Sequence, residues 1–491
     1  MEHKTVKKTP NYLEEGVLLV SAPSIMEKTF SSAKSLYKPI EPLGLLYIAG
    51  NLLKNNINTS ILDCNLEGLS IDESVNEIEK IKPMALGISC LTAEAYLVEE
   101  LLKRVKDAMP DLKIIMGNMH ASYFSDYYLG NKLSDYVVHG EGEEVMVDLV
   151  RAIREKTNNI KDIRGVSYHN DENEIIISSE KNIVSDLDSL PLPAWNLVEP
   201  NKYRHSFYYN FNPSRTRMMI TSRGCPIGCS FCVIHEGQKV RHHSPERVID
   251  ELEFLIKDYG TTHINFLDAM FLSKTSRTIK LCEMIINRNI KVKWACEAHV
   301  NFINPEILSL MKRAGCETIY FGIESGDDNL LKNIGKKSNT EQIRKAITMT
   351  AQVGIKSVGF FMLGLPGETE ALTRKTIQFS LSLPLDMAIF SITVPYPGSQ
   401  LFEDVKKRGD KFDQYDWDGF CNTGILGQNP PIWSPAELPY EKLKKLQAEA
   451  MKKFHFRPKT VYRHLKSLRY ATTKDIGALF NVARLVIKNA L

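Results

Sequence analysis

The residues best placed to do chemistry are three cysteines crowded into eight positions. Cys225, Cys229 and Cys232 lie in TSRGCPIGCSFCVIH, a Cys-x3-Cys-x2-Cys spacing. Thiolates are soft ligands that select iron–sulfur clusters or zinc. Three thiolates on a four-iron cluster leave one iron without a protein ligand, and an open metal position invites a cofactor or substrate. Gly224 and Gly228 let the backbone wrap closely round such a centre. Zinc is a competing reading, because His235 follows closely and makes a Cys3His set formally available. Against zinc, all four ligands would come from one tight loop, whereas zinc modules pair ligands from two separated loops. Against a ferredoxin, no fourth Cys-Pro closes the motif. Three inert cysteines are the remaining alternative.

The other six cysteines (64, 90, 282, 296, 316 and 421) are scattered. An odd total of nine in a 491-residue chain argues against a disulfide framework. Cys282 and Cys296 read as small core hydrophobes. A composition of 43% hydrophobic and 25% charged residues is that of a globular protein. No run of 18 apolar residues suggests a membrane span, and MEHKTVKKTPNYLEEG lacks the apolar stretch of a signal peptide, so a cytoplasmic location is expected. The net charge of +3 conceals an asymmetry. Residues 441–491 carry 13 Lys/Arg against 3 Asp/Glu, a balance of +10 that leaves −7 for the rest. Such a tail suits anionic lipid, nucleic acid or an acidic substrate, or is simply a solvated helical face.

The elements that must position the cysteines follow from periodicity. Residues 16–150 alternate short apolar runs (16–24, 59–65, 84–90, 113–118, 135–140) with helical stretches at 43–56, 93–110 and from about 143. Strand–helix alternation implies a parallel, doubly wound sheet with ligands at the carboxyl ends of its strands. IRGVSYHNDENEIIISSEK reads as a β-hairpin, and LDSLPLPAWNLVEP as a Pro-rich linker. From 216 a second series begins, with strands at 217–222, 263–268, 292–297, 318–325, 357–364 and 387–395 and helices between them. Six βα units imply a partial (β/α)6 TIM barrel, whose chemistry lies at the carboxyl ends of the strands. The cysteines directly follow its first strand. Residues 401–491 form a mainly helical basic C-terminal region.

Cys225, Cys229 and Cys232, with Phe231 before the last of them, resemble the signature of the radical S-adenosylmethionine (radical SAM) superfamily. The resemblance implies a [4Fe–4S] cluster on the three cysteines and S-adenosyl-L-methionine at the open iron, cleaved to a 5′-deoxyadenosyl radical. It also implies SAM-binding positions at Phe231, Asp268 in NFLDAMF, Glu297, Glu324 in FGIESG, Gly364 in MLGLPGET and Pro397 in TVPYPGSQLF. No catalytic acid or base is assigned.

EPLGLLYIAG, GISCLTAEA, IIMGNMHAS and VVHGEGEE resemble the Rossmann-like cobalamin-binding domain that precedes many such barrels. By that resemblance Leu43, Gly44, Ser89, Leu91, Thr92, Gly117, Asn118, His120, Gly140, Glu141 and Gly142 would line cobalamin. Small residues there would let a flat macrocycle approach the backbone. The Asp-x-His-x-x-Gly motif, whose His ligates cobalt, is not matched: Asp63 to Gly68 carries Asn65 where His stands and follows the second strand. His120 is an alternative candidate for the lower ligand, a role that the resemblance does not assign to it, and this subclass commonly binds cobalamin without a His.

The expected organisation is a cobalamin-binding domain with linker (1–190), a radical SAM barrel (191–400) and the C-terminal region (401–491). The tail resembles that of the anaerobic magnesium-protoporphyrin ester cyclases and hopanoid methylases. The expected activity is methylation of an unactivated carbon of an apolar, lipid-like substrate, with oxidative cyclisation or a non-enzymatic zinc or corrinoid module as alternatives. Expected partners are a small-molecule substrate, an electron donor such as flavodoxin or ferredoxin, and a membrane surface met by the basic C-terminus through DIGALFNVARLVIKNAL, with no nucleic acid.

Overall fold

The structure, a computed structural model, describes residues 15–23, 39–157, 159–203, 215–233, 239–410, 413–420, 430–467 and a few positions beyond 472. His235 and most of 475–491 lie outside the described residues. Two compact units result, one of Met1–Ile25 with Glu41–Tyr203 and the other of Met26–Ile40 with Arg204–Leu491.

The first unit runs β1 (Val17–Ser21), α1 (Leu43–Lys54), β2 (Thr59–Asp63), α2 (Cys64–Glu67), α3 (Ile71–Ile81), β3 (Ala85–Ser89), α4 (Ala95–Ala108), β4 (Lys113–Gly117), α5 (Met119–Tyr123), α6 (Ser125–Gly130), β5 (Tyr136–Val138) and α7 (Gly142–Glu155). The five strands pair in parallel in the order β2-β1-β3-β4-β5. Val17 to Val20 and Ala85 to Ile88 are buried on both faces, which is why these strands read as continuous apolar runs. Strand order reverses beside β1, so the crevice at the carboxyl ends of β1 and β3 is where this topology places a ligand.

The five strands expected to be parallel are so, and the expected hairpin extends their sheet. The hairpin of β6 (Val166–His169) and β7 (Ile175–Ile176) joins the edge of β5 antiparallel. Residues 156–165 return the chain to the carboxyl end of β5, where Val166 pairs with Val138, so β6 must run backwards. The turn uses Asn chemistry: Asn170 Oδ1 accepts from the amides of Glu172 and Glu174, and Asn173 takes φ 61°. The Pro-rich stretch from 191 packs on this unit, with Ala194 N donating to Leu46 O at 2.9 Å.

Periodicity places no element over 66–83, yet α3 lies there. Its mark was Ser70-x-x-Glu73: the Ser70 side chain accepts from Glu73 N, and the Glu73 carboxylate accepts from Ser70 N at 2.8 Å.

The second unit runs β8 (Thr216–Met219), β9 (Ser222–Arg223), β10 (Arg241–His242), α8 (Pro245–Tyr259), β11 (His263–Phe266), α9 (Thr275–Asn287), β12 (Lys293–Ala298), α10 (Pro305–Arg313), β13 (Cys316–Glu324), α11 (Asp328–Asn333), α12 (Thr340–Gln352), β14 (Lys356–Leu363), α13 (Glu370–Ser382) and β15 (Met387–Ile392). Six strands pair in parallel in the order β8-β11-β12-β13-β14-β15, a partial (β/α)6 barrel. α8 shows why the crossovers were readable. Ser244 caps it, Pro245 opens it and Gly260 closes it at φ 62°. Val248, Ile249, Leu252 and Leu255 are buried, each contributing roughly 1.5–3 kcal/mol. Cys282, Cys296 and Cys316 are fully buried, and burial pushes the Cys282 and Cys296 thiols up.

The tail carries α14 (Gln400–Lys407), α15 (Tyr440–His455) and α16 (Pro458–Ser467). It is not a separate body: α15 packs on β15 within the second unit, Gln447 Nε2 donating to Phe390 O at 2.7 Å.

Removing the α3 cap leaves an amide of the first turn without its side-chain acceptor. Ser70→Ala should lower stability by about 1 kcal/mol, read as a lower urea midpoint at unchanged m-value.

Candidate active site

The cysteine loop has almost no secondary structure of its own, so its shape comes from its neighbours. β8 ends at Met219, and the chain turns through Thr221 and Ser222 toward Cys225. Asp268, just past β11, is fully buried and fixes this turn. Its carboxylate accepts from Thr221 N (2.6 Å), Thr221 Oγ1 (2.6 Å) and Ser222 Oγ (2.7 Å). Arg277 donates to Thr221 O and His243 O from α9. Burial raises the Asp268 carboxyl, while the Thr221 and Ser222 hydrogen bonds and Arg277 oppose the rise. Asp268 thus engages the loop itself, a positioning role distinct from the methionine contact read from the sequence.

Beyond the turn, Gly224 and Gly228 take φ 97° and 77°, conformations that L side chains rarely adopt. Ser230 N donates to Ile334 O (2.9 Å), and Leu401 N donates to Ser230 O (2.8 Å). The loop is therefore clamped between the 334–337 turn and α14. Phe231 packs against the cluster of Leu401, Val405 and Trp433, an anchoring contact. Pro397 is buried in the turn that leads into α14, where Ser399 N donates to Tyr396 O.

Two carboxylates stand at the strand ends nearby. Glu324 closes β13 at φ 64°, at an irregularity in its pairing with β14. Its Oε1 accepts from Lys336 Nζ at 2.8 Å, and both side chains are less than a tenth exposed. Gly322 makes room for this pair, since a Cβ there would stand 2.4 Å from Glu324 Oε1 and 2.6 Å from Lys336 Nζ. Glu297, in β12, is pushed up to about 7 by burial and by Asp268, with Lys336 pulling it down. Lys336 went unread in the sequence, although GKK after the fourth strand was its mark. Burial pushes the Cys229 thiol up to about 11, and the Lys336 ammonium opposes that rise. Gly364 has a packing reason of its own: at φ 82°, its missing Cβ would meet Leu443 at 2.9 Å. Glu368 is fully buried and holds that loop, accepting from Gly364 N and Leu365 N.

In the first unit, the strand ends divide into open and filled positions. A Cβ on Gly44 or Gly117 would meet nothing within 4 Å, and Leu91 and Met119 are 49% and 39% exposed. Asn118, at φ 77°, donates to Ser89 Oγ at 3.0 Å. By contrast, Gly140 is required by the fold, because a Cβ at its φ of 88° would stand 2.2 Å from Asn182 O. Glu141 is spent on Val184 N at 2.7 Å. A Cβ on Gly142, at the start of α7, would meet Ile48 at 3.2 Å. Leu43 is buried in the first turn of α1. His120 is 1% exposed, with Nδ1 bonded to Thr92 Oγ1 (3.3 Å) and Nε2 to Tyr128 Oη (3.1 Å), so both ring nitrogens have protein partners. Asp63 caps α2 and accepts from Tyr203 Oη at 2.7 Å, a structural account of the imperfect Asp-to-Gly68 motif.

Both donor sets fit the groups that the resemblance implies. Among the described residues no three His, Cys, Asp or Glu side chains gather to hold a single metal ion. A cubane instead takes each thiolate on a different iron, as suits three cysteines spread along a clamped loop. The open glycines and the exposed Leu91 and Met119 leave room and apolar surface for a macrocycle at these strand ends.

Comparison with known proteins agrees. Residues 219–380 match the radical SAM superfamily and residues 33–150 the B12 binding domain. An uncharacterized methyltransferase of Pyrococcus horikoshii is 30% identical over 434 residues, 86% of this chain and 90% of the relative. The anaerobic magnesium-protoporphyrin IX monomethyl ester cyclase of Rubrivivax gelatinosus is 28% identical, covering 77% of this chain and 68% of the relative. The fold is that of the cobalamin-dependent S-adenosylmethionine radical enzyme OxsB, solved with aqua-cobalamin and S-adenosylmethionine bound, at a TM-score of 0.71 and 17% identity over 97% of this chain and 71% of that one. The chain is a radical SAM enzyme. Within that superfamily it belongs to the cobalamin-dependent family that carries a B12 binding domain ahead of the barrel, and its cofactors are a [4Fe–4S] cluster, S-adenosylmethionine and cobalamin.

Breaking the buried pair should be costly. Lys336→Met strands the Glu324 carboxylate and should cost about 3–5 kcal/mol; the double variant Lys336→Met/Glu324→Gln should recover part of it, as read by urea unfolding of the purified protein. His120 gives a pH dependence. Burial holds its imidazole down to about 3, against 6.5 ordinarily. The stability tied to this neutral ring is present above pH 6.5 and is lost as pH falls toward 3, by up to about 1.4 kcal/mol per pH unit. The urea midpoint of His120→Gln should fall less between pH 7 and 4 than that of the parent.

Proposed function

We propose that this enzyme methylates an unactivated carbon of an apolar small molecule. What carries the reading is the pairing of a clamped three-thiol loop at a barrel mouth with an open cradle at the strand ends of a B12 binding domain. The methyltransferase designation of the Pyrococcus horikoshii relative points the same way. Cys225, Cys229 and Cys232 would hold the cluster, and Gly44, Leu91, Gly117 and Met119 would face cobalamin. When bound, the cluster supplies the electron that cleaves S-adenosylmethionine to a 5′-deoxyadenosyl radical, and cobalamin supplies the methyl group.

The chain's own residues orient and shield. Asp268, Ile334 and Leu401 hold the thiol loop in place. Glu324 and Glu297 offer acceptors to the amine and hydroxyls of S-adenosylmethionine, and Lys336 balances the charge that the thiolates concentrate. Gly364 and Glu368 set the fifth strand end, where adenine would pack. A lipid-like substrate suits the basic tail, on which Tyr462 and Leu465 of α16 stand 70% and 61% exposed. No described helix is long and apolar enough to cross a membrane. A cytoplasmic protein that touches a membrane surface and draws electrons from flavodoxin or ferredoxin completes the reading. The cyclase relative supports a second outcome, oxidative cyclisation.

Each of Cys225→Ala, Cys229→Ala and Cys232→Ala should reduce 5′-deoxyadenosine formation to background in anaerobically purified enzyme supplied with cobalamin. Persistence in all three, or zinc in place of iron on analysis, would sink the cluster assignment. Metabolites from strains with and without the protein should differ by one CH2; loss of hydrogens instead would select cyclisation.

A further inference from the structure

An electron must reach the cysteine loop from outside the chain, and the surface above that loop has a distinct character. Gly335 lies directly against it: a Cβ there would stand 3.1 Å from Gly228 O and 3.9 Å from Cys229 Cα. Around this contact opens a cleft of about 470 Å3, with Gly228 and Gly335 in its lining and Lys332, Lys337, Asn339 and Gln342 around them. Asp328 and Ser338 complete the lining, so no apolar side chain contributes.

The charge is one-sided. Within 328–345, Lys332, Lys337, Arg344 and Lys345 are exposed against Asp328 and Glu341, while Lys336 is buried on Glu324. Lys345 lies one helical turn beyond Gln342 on the same face of α12. The acidic residues here are Asp328, which accepts from Thr340 N at 2.7 Å, and the exposed Glu341. A basic, polar, open cleft bordered by the backbone of the cysteine loop is suited to a protein surface of opposite charge.

The geometry points to this cleft as the docking surface for an acidic one-electron carrier protein. The assignment rests on the cluster reading above and names where the electron enters. The carrier loses one electron and the thiolate-bound cluster gains it; no bond forms or breaks and no proton moves. Close approach of Gly335 to Gly228 and Cys229 makes the protein layer thin here, which shortens the electron's path. The lysines would steer the encounter, so the rate should be high at low salt and fall steeply as salt screens the pair.

The test is anaerobic stopped-flow reduction of the reconstituted holoenzyme by flavodoxin hydroquinone, with titanium(III) citrate as a carrier-independent reductant. Lys332→Glu/Lys345→Glu touches neither the cysteines nor their clamps. It should slow the flavodoxin reaction by about tenfold or more at low ionic strength and flatten its salt dependence, with the titanium rate unchanged. Lys332→Gln/Lys345→Gln should give a smaller loss in the same direction. An unchanged flavodoxin rate and salt slope overturns the docking surface. So does an unchanged flavodoxin rate with loss of inorganic phosphate binding by calorimetry, which would assign the cleft to a small anion. Failure of titanium citrate to reduce the parent protein overturns the cluster reading and this assignment with it.

Discussion

A loop without regular hydrogen bonding must present three thiols in fixed positions, and the second unit is built around that constraint. The buried Asp268 carboxylate is its first support. Removing such a charge from water costs several kcal/mol unless it is compensated. Three donors from Thr221 and Ser222 satisfy it, each hydrogen bond to a charged group contributing roughly 1.5–3 kcal/mol. The carboxylate cannot swing away without exposing itself, and the turn cannot relax without stranding the carboxylate. Ile334 and Leu401 grip the far end of the loop from two other elements. Rigidity is imposed from outside, which is how a glycine-rich segment holds one conformation.

Charge near the thiols follows the same logic. The Glu324–Lys336 pair is neutral overall, yet its ammonium lies on the side that lowers the cost of a thiolate at Cys229. Glu324 adopts a left-handed conformation that costs a β-residue of order 1–3 kcal/mol. Gly322 leaves the space that such an arrangement needs. One glycine, one strained glutamate and one buried lysine therefore form a single device, spread over fifteen residues of sequence.

The barrel was legible because each of its pieces advertises itself locally. Ser244, Pro245 and Gly260 bound α8, and six apolar runs alternate with helical stretches. The cysteine spacing and the open glycines at 44 and 117 were legible for the same reason. What escaped were features set by distant partners. Lys336 carries meaning only beside Glu324 and Cys229. Gly140 looks like a ligand-facing glycine until Asn182 is seen against it, and His120 looks like a free imidazole until Thr92 and Tyr128 take its nitrogens. The antiparallel run of β6 follows from where residues 156–165 deliver the chain, a path that periodicity does not encode. The capping box at Ser70 was local and readable, and so was the apolar face of α3, which buries Val75, Ile78 and Ile81 at helical spacing.

The clamps also impose an order on biosynthesis. Cys225 to Cys232 are synthesised near the middle of the chain, whereas Trp433, on which Phe231 of their loop is anchored, lies about 200 positions further along. At roughly 5–20 residues per second, that interval is on the order of 10–40 s. During it the thiols are synthesised but unsupported, a window in which they can meet oxidants or the wrong metal. A cluster that meets the loop before Leu401 and Trp433 have docked meets thiols without their outer support, whereas one that meets the folded barrel finds them already held.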